Sequence, residues 1–131
     1  MKRGFTLLEL VVVIIIIGIL ATLGFTQYGK VIEKGRIAEA RMVLGAIRSA
    51  QEAYKQEYGA YNATAGNLQV SFPTACTTTH YFSYSVTDNT LGNATRCTAS
   101  GKKPDVAGAS SYYVTLEYAS GNFSGNVTGY Y

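Results

Sequence analysis

A long uncharged run close to the N-terminus limits what this chain can fold into more than any other feature of its sequence. Residues 10–29 contain no charged side chain, and residues 11–17 within them are all Val or Ile. A helix needs about 20 apolar residues to cross a bilayer, so the run is long enough to span a membrane. Lys2 and Arg3 precede the run, which predicts that the N-terminus stays inside and that the rest of the chain lies outside.

A single acid, Glu9, stands where this apolar run begins. A carboxylate at the edge of a spanning helix costs about 3 kcal/mol on insertion scales, so Glu9 needs a polar partner or a function. The alternative is that it only reaches the lipid headgroups. A cleaved secretory signal peptide competes with the spanning helix, with residues 21–24 as its weak cleavage site. A signal peptide has a shorter apolar core, and the run found here favours a retained helix.

The residues around Glu9 form a motif. Residues 4–10 read Gly-Phe-Thr-Leu-Leu-Glu-Leu, and residues 17–21 read Ile-Gly-Ile-Leu-Ala. Over residues 1–36 the chain closely resembles the class III leader and first helix of type IV pilins and the related pseudopilins. The resemblance implies that a membrane peptidase cuts after Gly4 and that the new N-terminal residue, Phe5, is N-methylated. It also implies that Glu9 pairs with the N-terminal amine of Phe5 in a neighbouring subunit during filament assembly.

The chain departs from this family pattern at one place in the first helix. Many type IV pilins carry a proline at the position that aligns with Thr26, and this chain has none. Gly24 and Gly29 flank that position, and each lowers helix stability by up to about 1 kcal/mol relative to Ala. The sequence leaves open whether the helix melts there in a filament.

Beyond the apolar run the pattern predicts a helix that continues from Lys30 to about Tyr58. Apolar or small residues recur at intervals of three and four, which is the spacing of one helical face that packs on a sheet. The members of this stripe are Ile37, Ala40, Leu44, Ile47, Ala50, Tyr54 and Tyr58. Gly59 is the expected C-cap. Arg48 and Glu52 fall off the stripe and are spaced for an i,i+4 ion pair.

The rest of the chain is rich in strand and turn residues. Strands are predicted at residues 81–87, 111–118 and 122–131, with a short one at 68–72 and a surface loop at 88–108. The expected fold is α+β, with the long N-terminal helix packed on a small antiparallel sheet as in pilins. We expect three segments, which are a leader at 1–4, a transmembrane and assembly helix at 5–29, and a globular domain at 30–131.

The two cysteines, Cys76 and Cys97, stand in no metal-binding spacing. If this part of the chain lies outside the cytoplasm, a disulfide between them is expected. That bridge would pin the predicted loop back to residue 76.

Other functions find little support in the composition. The net charge of +3 is too small to indicate nucleic-acid binding. His80, the only histidine, has no acid or nucleophile pattern around it. We find no phosphate-binding loop and no metal-ligand cluster, and the three acids after Glu57 are too few and too scattered to indicate calcium. We therefore expect no enzyme activity, no cofactor and no metal.

The resemblance therefore gives the leading hypothesis, a structural subunit of a type IV pilus that serves adhesion, motility or DNA uptake. Its partners would be further copies of itself in a helical filament, the prepilin peptidase and the pilus assembly machinery. It would lie in the inner membrane as a precursor and outside the cell once assembled. The alternative is a periplasmic pseudopilin of a type II secretion system. A secreted binding module with a cleaved signal peptide is a third interpretation.

Overall fold

The computed structural model describes residues 4–99, 102, 104 and 111–127, apart from the side chain of Thr26. Its elements are helix α1 (Leu7–Tyr58), a 3₁₀ turn (Ala65–Asn67) and strands β1 (Phe82–Val86), β2 (Leu91–Arg96), β3 (Tyr113–Glu117) and β4 (Phe123–Gly125). The predicted α+β fold, a long helix on an antiparallel sheet, is confirmed. The contacts divide the chain into two compact units, one that ends at Ile32 and one that starts at Glu33.

The first unit consists of the apolar part of α1. The helix passes through Gly24 and Gly29 without a break. This continuity agrees with the absence of a helix-breaking proline at residue 26. By length and composition, α1 is the one helix in the described part of the chain that is able to cross a membrane. None of its most apolar window is buried.

The second unit contains the sheet, in which strands β1, β2, β3 and β4 are neighbours in chain order and all pairs are antiparallel. Asp88 shapes the turn between β1 and β2, because its carboxylate accepts the backbone N–H groups of Thr90 and Leu91. Gly121 closes the turn between β3 and β4 with a φ of 75°. That backbone conformation favours glycine.

The core of the second unit lies between α1 and the sheet. The helix contributes four fully buried residues of the predicted stripe, Ile37, Ala40, Leu44 and Ile47. The sheet side contributes Phe82, Tyr84, Ala94, Tyr112, Val114, Leu116 and Tyr118. Gly59 has a φ of 81° and ends α1 as expected. The stripe prediction is wrong at its last member, because Tyr58 remains 62% exposed.

The predicted i,i+4 ion pair between Arg48 and Glu52 does not form. Arg48 donates instead to the backbone carbonyl of Tyr118 at 2.8 Å. Glu52 accepts the hydroxyl of Tyr61 at 2.7 Å. Both side chains therefore hold the ends of loops against the helix.

The predicted loop at 88–108 is wrong in its first half, because β2 (Leu91–Arg96) runs through it and lies inside the sheet. The strand was not predicted because it contains small and polar residues, which have low strand propensity. Its inward residues include Gly92 and Ala94. A Cβ at residue 92 would stand 3.3 Å from both Leu44 and Tyr118, so close packing of the helix on the sheet requires small residues here.

The short strand predicted at residues 68–72 is not present. This segment follows the 3₁₀ turn as irregular backbone. Val70 and Phe72 still pack against the core, so the alternation seen in the sequence reflects burial rather than strand pairing. The nearby Pro73 accepts one hydrogen bond from the N–H of Tyr84.

A buried ion pair joins α1 to the sheet. Glu33 and Arg96 are 0% and 1% exposed, and Arg96 Nε lies 2.6 Å from Glu33 Oε1. The hydroxyl of Tyr112 donates to the same oxygen at 2.7 Å, and Arg36 Nη1 lies 2.8 Å from Glu33 Oε2. Arg96 also donates to the carbonyl of Cys97 at 2.6 Å. The carboxylate and the guanidinium thus find the hydrogen bonds that buried charges need.

These contacts shift the pKa of Glu33. Burial raises the pKa of the carboxyl, but the hydrogen bonds from Arg96 and Tyr112 lower it by more, so that it lies below its usual value of 4.5. Burial and the neighbouring carboxylate raise the pKa of Tyr112, and this tyrosine therefore remains a hydrogen-bond donor.

A disulfide joins Cys76 to Cys97 directly after the buried Arg96, with the two Cα atoms 5.5 Å apart. The bridge closes a loop with a sequence separation of 21 residues, for which chain entropy predicts about 3 kcal/mol of stabilisation. Lys102 makes a second connection to the segment around Cys76, because its ammonium donates to the carbonyls of Thr77 and His80.

We expect Glu33→Gln to destabilise the second unit, because it leaves the guanidinium of Arg96 buried without a counter-ion. Breaking such a pair costs about 3 kcal/mol or more, which lowers the Tm of a unit of this size by roughly 12 °C or more. Near-UV circular dichroism of the full chain in detergent measures this. The control is Arg36→Gln, which removes the more exposed partner and should cost less than about 1 kcal/mol.

The same pair makes stability depend on pH. Because folding lowers the pKa of Glu33, the stabilisation is present above the unfolded pKa and is lost as the pH falls through the folded one. The wild-type Tm should therefore drop below about pH 4.5, and that part of the drop should be missing in Glu33→Gln. Equal acid sensitivity of both proteins would contradict the role given to Glu33.

Candidate functional site: the N-terminus of the long helix

The site is built on the way in which α1 begins. Thr6 is the N-cap residue, and its carbonyl accepts the first helical hydrogen bond from Leu10 at 3.3 Å. The hydroxyl oxygen of Thr6 accepts the N–H of Glu9 at 3.2 Å. In return, Glu9 Oε2 accepts the N–H of Thr6 at 3.1 Å and its hydroxyl at 2.9 Å. This reciprocal arrangement is a capping box.

Glu9 was predicted as a site residue from the sequence, but Thr6 was not. The signal for Thr6 was present, because Thr-x-x-Glu directly before an apolar run is the pattern of a capping box. The partner expected for Glu9 was the amine of a neighbouring subunit, and no partner within its own chain was expected. The structure gives it a local partner, which fixes the position of the carboxylate.

The carboxylate of Glu9 keeps capacity for a further partner. Both hydrogen bonds from Thr6 end on Oε2, and Oε1 accepts no hydrogen bond from the residues that the structure describes. An ionised carboxylate offers about four acceptor positions. Its place in the first helical turn also suits a negative charge, because the N-terminus of a helix is electropositive. Glu9 is therefore held in one place, while Oε1 keeps its capacity to accept a hydrogen bond.

Gly4 and Phe5 precede α1 in irregular backbone, and both are exposed. The side chain of Phe5 is 86% exposed. A Cβ added at residue 4 would meet no atom of the described residues within 4 Å. The packing of the chain therefore does not explain why residue 4 is a glycine, and the peptide bond between residues 4 and 5 is accessible.

The apolar surface that follows Glu9 has no cover within its own unit. The exposure of its large apolar side chains between residues 7 and 23 ranges from 38% at Val11 to 82% at Leu7. Soluble monomers rarely expose continuous apolar patches larger than a few hundred Å². This surface needs a membrane or other subunits to cover it.

Metal chemistry has no evident place in the described ranges, where no group of three or more His, Cys, Asp or Glu side chains is arranged to hold an ion. One groove of the second unit lies along α1 and is lined by Ala46, Ser49, Ala53, Tyr58 and neighbouring residues. These side chains form no pair of nucleophile and base. The capped Glu9 at the start of α1 is thus the candidate functional site.

An exposed apolar helix, a capped glutamate at its start and a small antiparallel sheet define a pilin-type subunit. The family model for type IV pilin-like G and H proteins matches residues 38–128, and the model for the prokaryotic N-terminal methylation motif matches residues 1–25. The chain belongs to the type IV pilin and pseudopilin family.

The curated relatives include both pilins and a pseudopilin. The chain is 36% identical over 67 residues to the type IV major pilin protein PilA of Myxococcus xanthus, which covers 51% of this chain and 30% of the relative. It is 37% identical over 68 residues to the fimbrial protein EcpC of Eikenella corrodens, covering 50% and 44%. It is 36% identical over 68 residues to the type II secretion system core protein G of Pseudomonas aeruginosa, covering 52% and 48%.

These matches extend over less than half of each of these relatives. No solved structure matches the chain significantly.

Proposed function

We propose that this chain is the structural subunit of a type IV pilus, processed after Gly4 and polymerised through its N-terminal helix. The observation that carries the proposal is the capped Glu9 at the start of an uncovered apolar helix, inside a segment that matches the N-terminal methylation motif. Proteins of this family are structural subunits, so the chain is a structural protein and not an enzyme.

Processing creates the partner that Glu9 needs. In the precursor the nitrogen of Phe5 is a neutral amide, which cannot neutralise a carboxylate. Hydrolysis of the bond between Gly4 and Phe5 leaves a carboxylate on Gly4 and a free amine on Phe5. Methylation of that amine keeps its positive charge at neutral pH. Only the processed subunit therefore carries a positive charge on the backbone nitrogen of Phe5 itself, four residues before the carboxylate of Glu9.

Assembly would then pair the amine of one subunit with Glu9 of its neighbour. In an apolar environment the two opposite charges satisfy each other, and removal of either leaves the other unpaired at a cost of several kcal/mol. Thr6 contributes by holding the carboxylate in one position, which reduces the side-chain freedom that is lost on pairing. The apolar surfaces of α1 would cover one another at the same time.

The proposed location follows from the same residues. Lys2 and Arg3 keep the N-terminus of the precursor inside, so the precursor lies in the inner membrane with the sheet unit outside. Prepilin peptidase and the assembly machinery are its expected partners, and the filament extends from the cell surface. The similarity to core protein G makes a periplasmic pseudopilin of a type II secretion system the second candidate.

We expect processing to remove residues 1–4 and to leave N-methyl-Phe5 at the mature N-terminus. N-terminal mass spectrometry of membrane and filament fractions measures this directly. Gly4→Asp should block cleavage, because a small residue must fit beside the scissile bond in a peptidase. The fold tolerates a side chain at this position, so the blocked precursor should still insert and fold. A mature N-terminus near residue 25 would refute the proposal in favour of a signal peptide.

We expect Glu9→Ala to accumulate as processed, membrane-inserted monomer while filaments disappear, because the amine of Phe5 loses its counter-charge. Glu9→Gln should show a similar, milder defect. The measurement is the ratio of sheared filament to membrane-held subunit. Loss of a carboxylate makes insertion easier, so failed insertion would not explain missing filaments.

The capping box supplies a matched control for this experiment. Thr6→Val removes the cap at a cost of about 1 kcal/mol but leaves the charge of Glu9 in place. If the charge matters, Thr6→Val should keep most of its filaments. Filament loss as severe as that of Glu9→Ala would mean that helix capping, rather than charge pairing, is the function of Glu9.

A further inference from the structure

The part of α1 that lies in the second unit has an unusual solvent side. Opposite the sheet-facing stripe, six exposed residues at intervals of three and four form one uncharged face, here called the outer face. Its members are Gly35, Ala38, Met42, Ala46, Ser49 and Ala53. The solvent side of a helix that packs on a sheet normally carries charged residues. The composition of this face indicates a surface for protein contact.

Met42 is the centre of the outer face. It is 76% exposed, the highest exposure of any large apolar side chain among the described residues from Glu33 onward. Methionine is flexible and polarisable, so it adapts well to the surface of a partner. The small side chains on both sides of it let another backbone come close.

Charges of opposite sign border the outer face. Lys34, Arg41 and Arg48 follow one border at intervals of seven residues, which places them on nearly the same side of a helix. Glu52, 18 residues after Lys34, also lies on this border, but it accepts the hydroxyl of Tyr61, and the border is basic on balance. Glu39 and Glu57 lie on the other border, separated by 18 residues, or five full turns. The ion pairs of Glu33 with Arg36 and Arg96 do not involve Glu39, whose carboxylate has no ion-pair partner among the residues that the structure describes. Arg41 lies over the ring of Phe123, 4.4 Å from its centre, and makes no ion pair there.

We propose that the outer face is an interface with a second copy of this chain, in which Glu39 of one subunit meets the basic border of the next. Both signs stand on one helix and on opposite borders, so the pattern complements itself when subunits are placed side by side. A contact of this kind joins two different surfaces and leaves both open for the next copy, which produces a filament rather than a closed dimer. The inference rests on the proposed function, which supplies the neighbouring copy.

Charge reversal tests this contact in cells that carry the full chain as their only copy. Glu39→Arg and Arg41→Glu should each lower the yield of sheared filament at least tenfold, with processing and membrane insertion unchanged. The double variant should recover at least half of the wild-type yield, because the opposite charges meet again. Glu117→Arg, on β3 and away from the outer face, makes the same change in net charge as Glu39→Arg and should leave the yield unchanged.

Wild-type yield from both single variants, or a double variant no better than the singles, would overturn the interface. If the wild-type chain itself forms no filaments, the proposed function fails instead, and the two failures are thereby distinct.

Cross-linking gives a second measurement that does not depend on charge. Both native cysteines are joined in the disulfide, so introduced cysteines report only new contacts. Glu39→Cys with Arg41→Cys in one chain should give a ladder of covalent oligomers when assembled filaments are oxidised, because residue 39 of each subunit reaches residue 41 of the next. Each single cysteine variant should give no ladder. Intact filaments of the double cysteine variant without a ladder would contradict the proposed contact.

Discussion

The ion pair between Glu33 and Arg96 is the interaction on which the sheet unit depends. Arg96 ends β2, the disulfide begins at the next residue, and Tyr112 immediately precedes β3 and binds the same carboxylate. Helix, sheet and disulfide loop therefore meet at one buried point. Because an unpaired charge there costs several kcal/mol, one arrangement of these three parts is strongly preferred. The pair also stands at the first residue of the second unit.

The two parts of α1 differ in how much of their apolar surface the chain itself covers. The first part presents an apolar surface that nothing in its own unit covers, and its single carboxylate is held by Thr6 at the helix start. The second part buries one face on the sheet and leaves Met42 exposed on the other. The apolar surface of the first part needs a membrane or other subunits to cover it, and the interface that we propose would cover Met42 in the second part. A subunit with these properties is suited to assembly.

Much of this fold could be predicted because its signals are local. Apolar spacing predicted α1 with its core residues, glycine predicted its end, and alternation predicted β1 and β3. Strand β2 was not predicted, because small residues give no strand signal. Gly92 and Ala94 are small because the helix packs closely on the sheet at this point. The pair of Glu33 and Arg96 joins residues 63 positions apart, and a single sequence carries no local sign of such a contact. Thr6, in contrast, was readable from its spacing to Glu9.

The proposed function requires this chain to form filaments outside the cell. Electron microscopy of fibres sheared from the surface of the native cell, combined with peptide identification, tests it most directly. We expect thin fibres whose main component is this chain, with a mature N-terminus at Phe5. Recovery of the chain only as a soluble secreted protein, with no fibres that contain it, would contradict the proposed function.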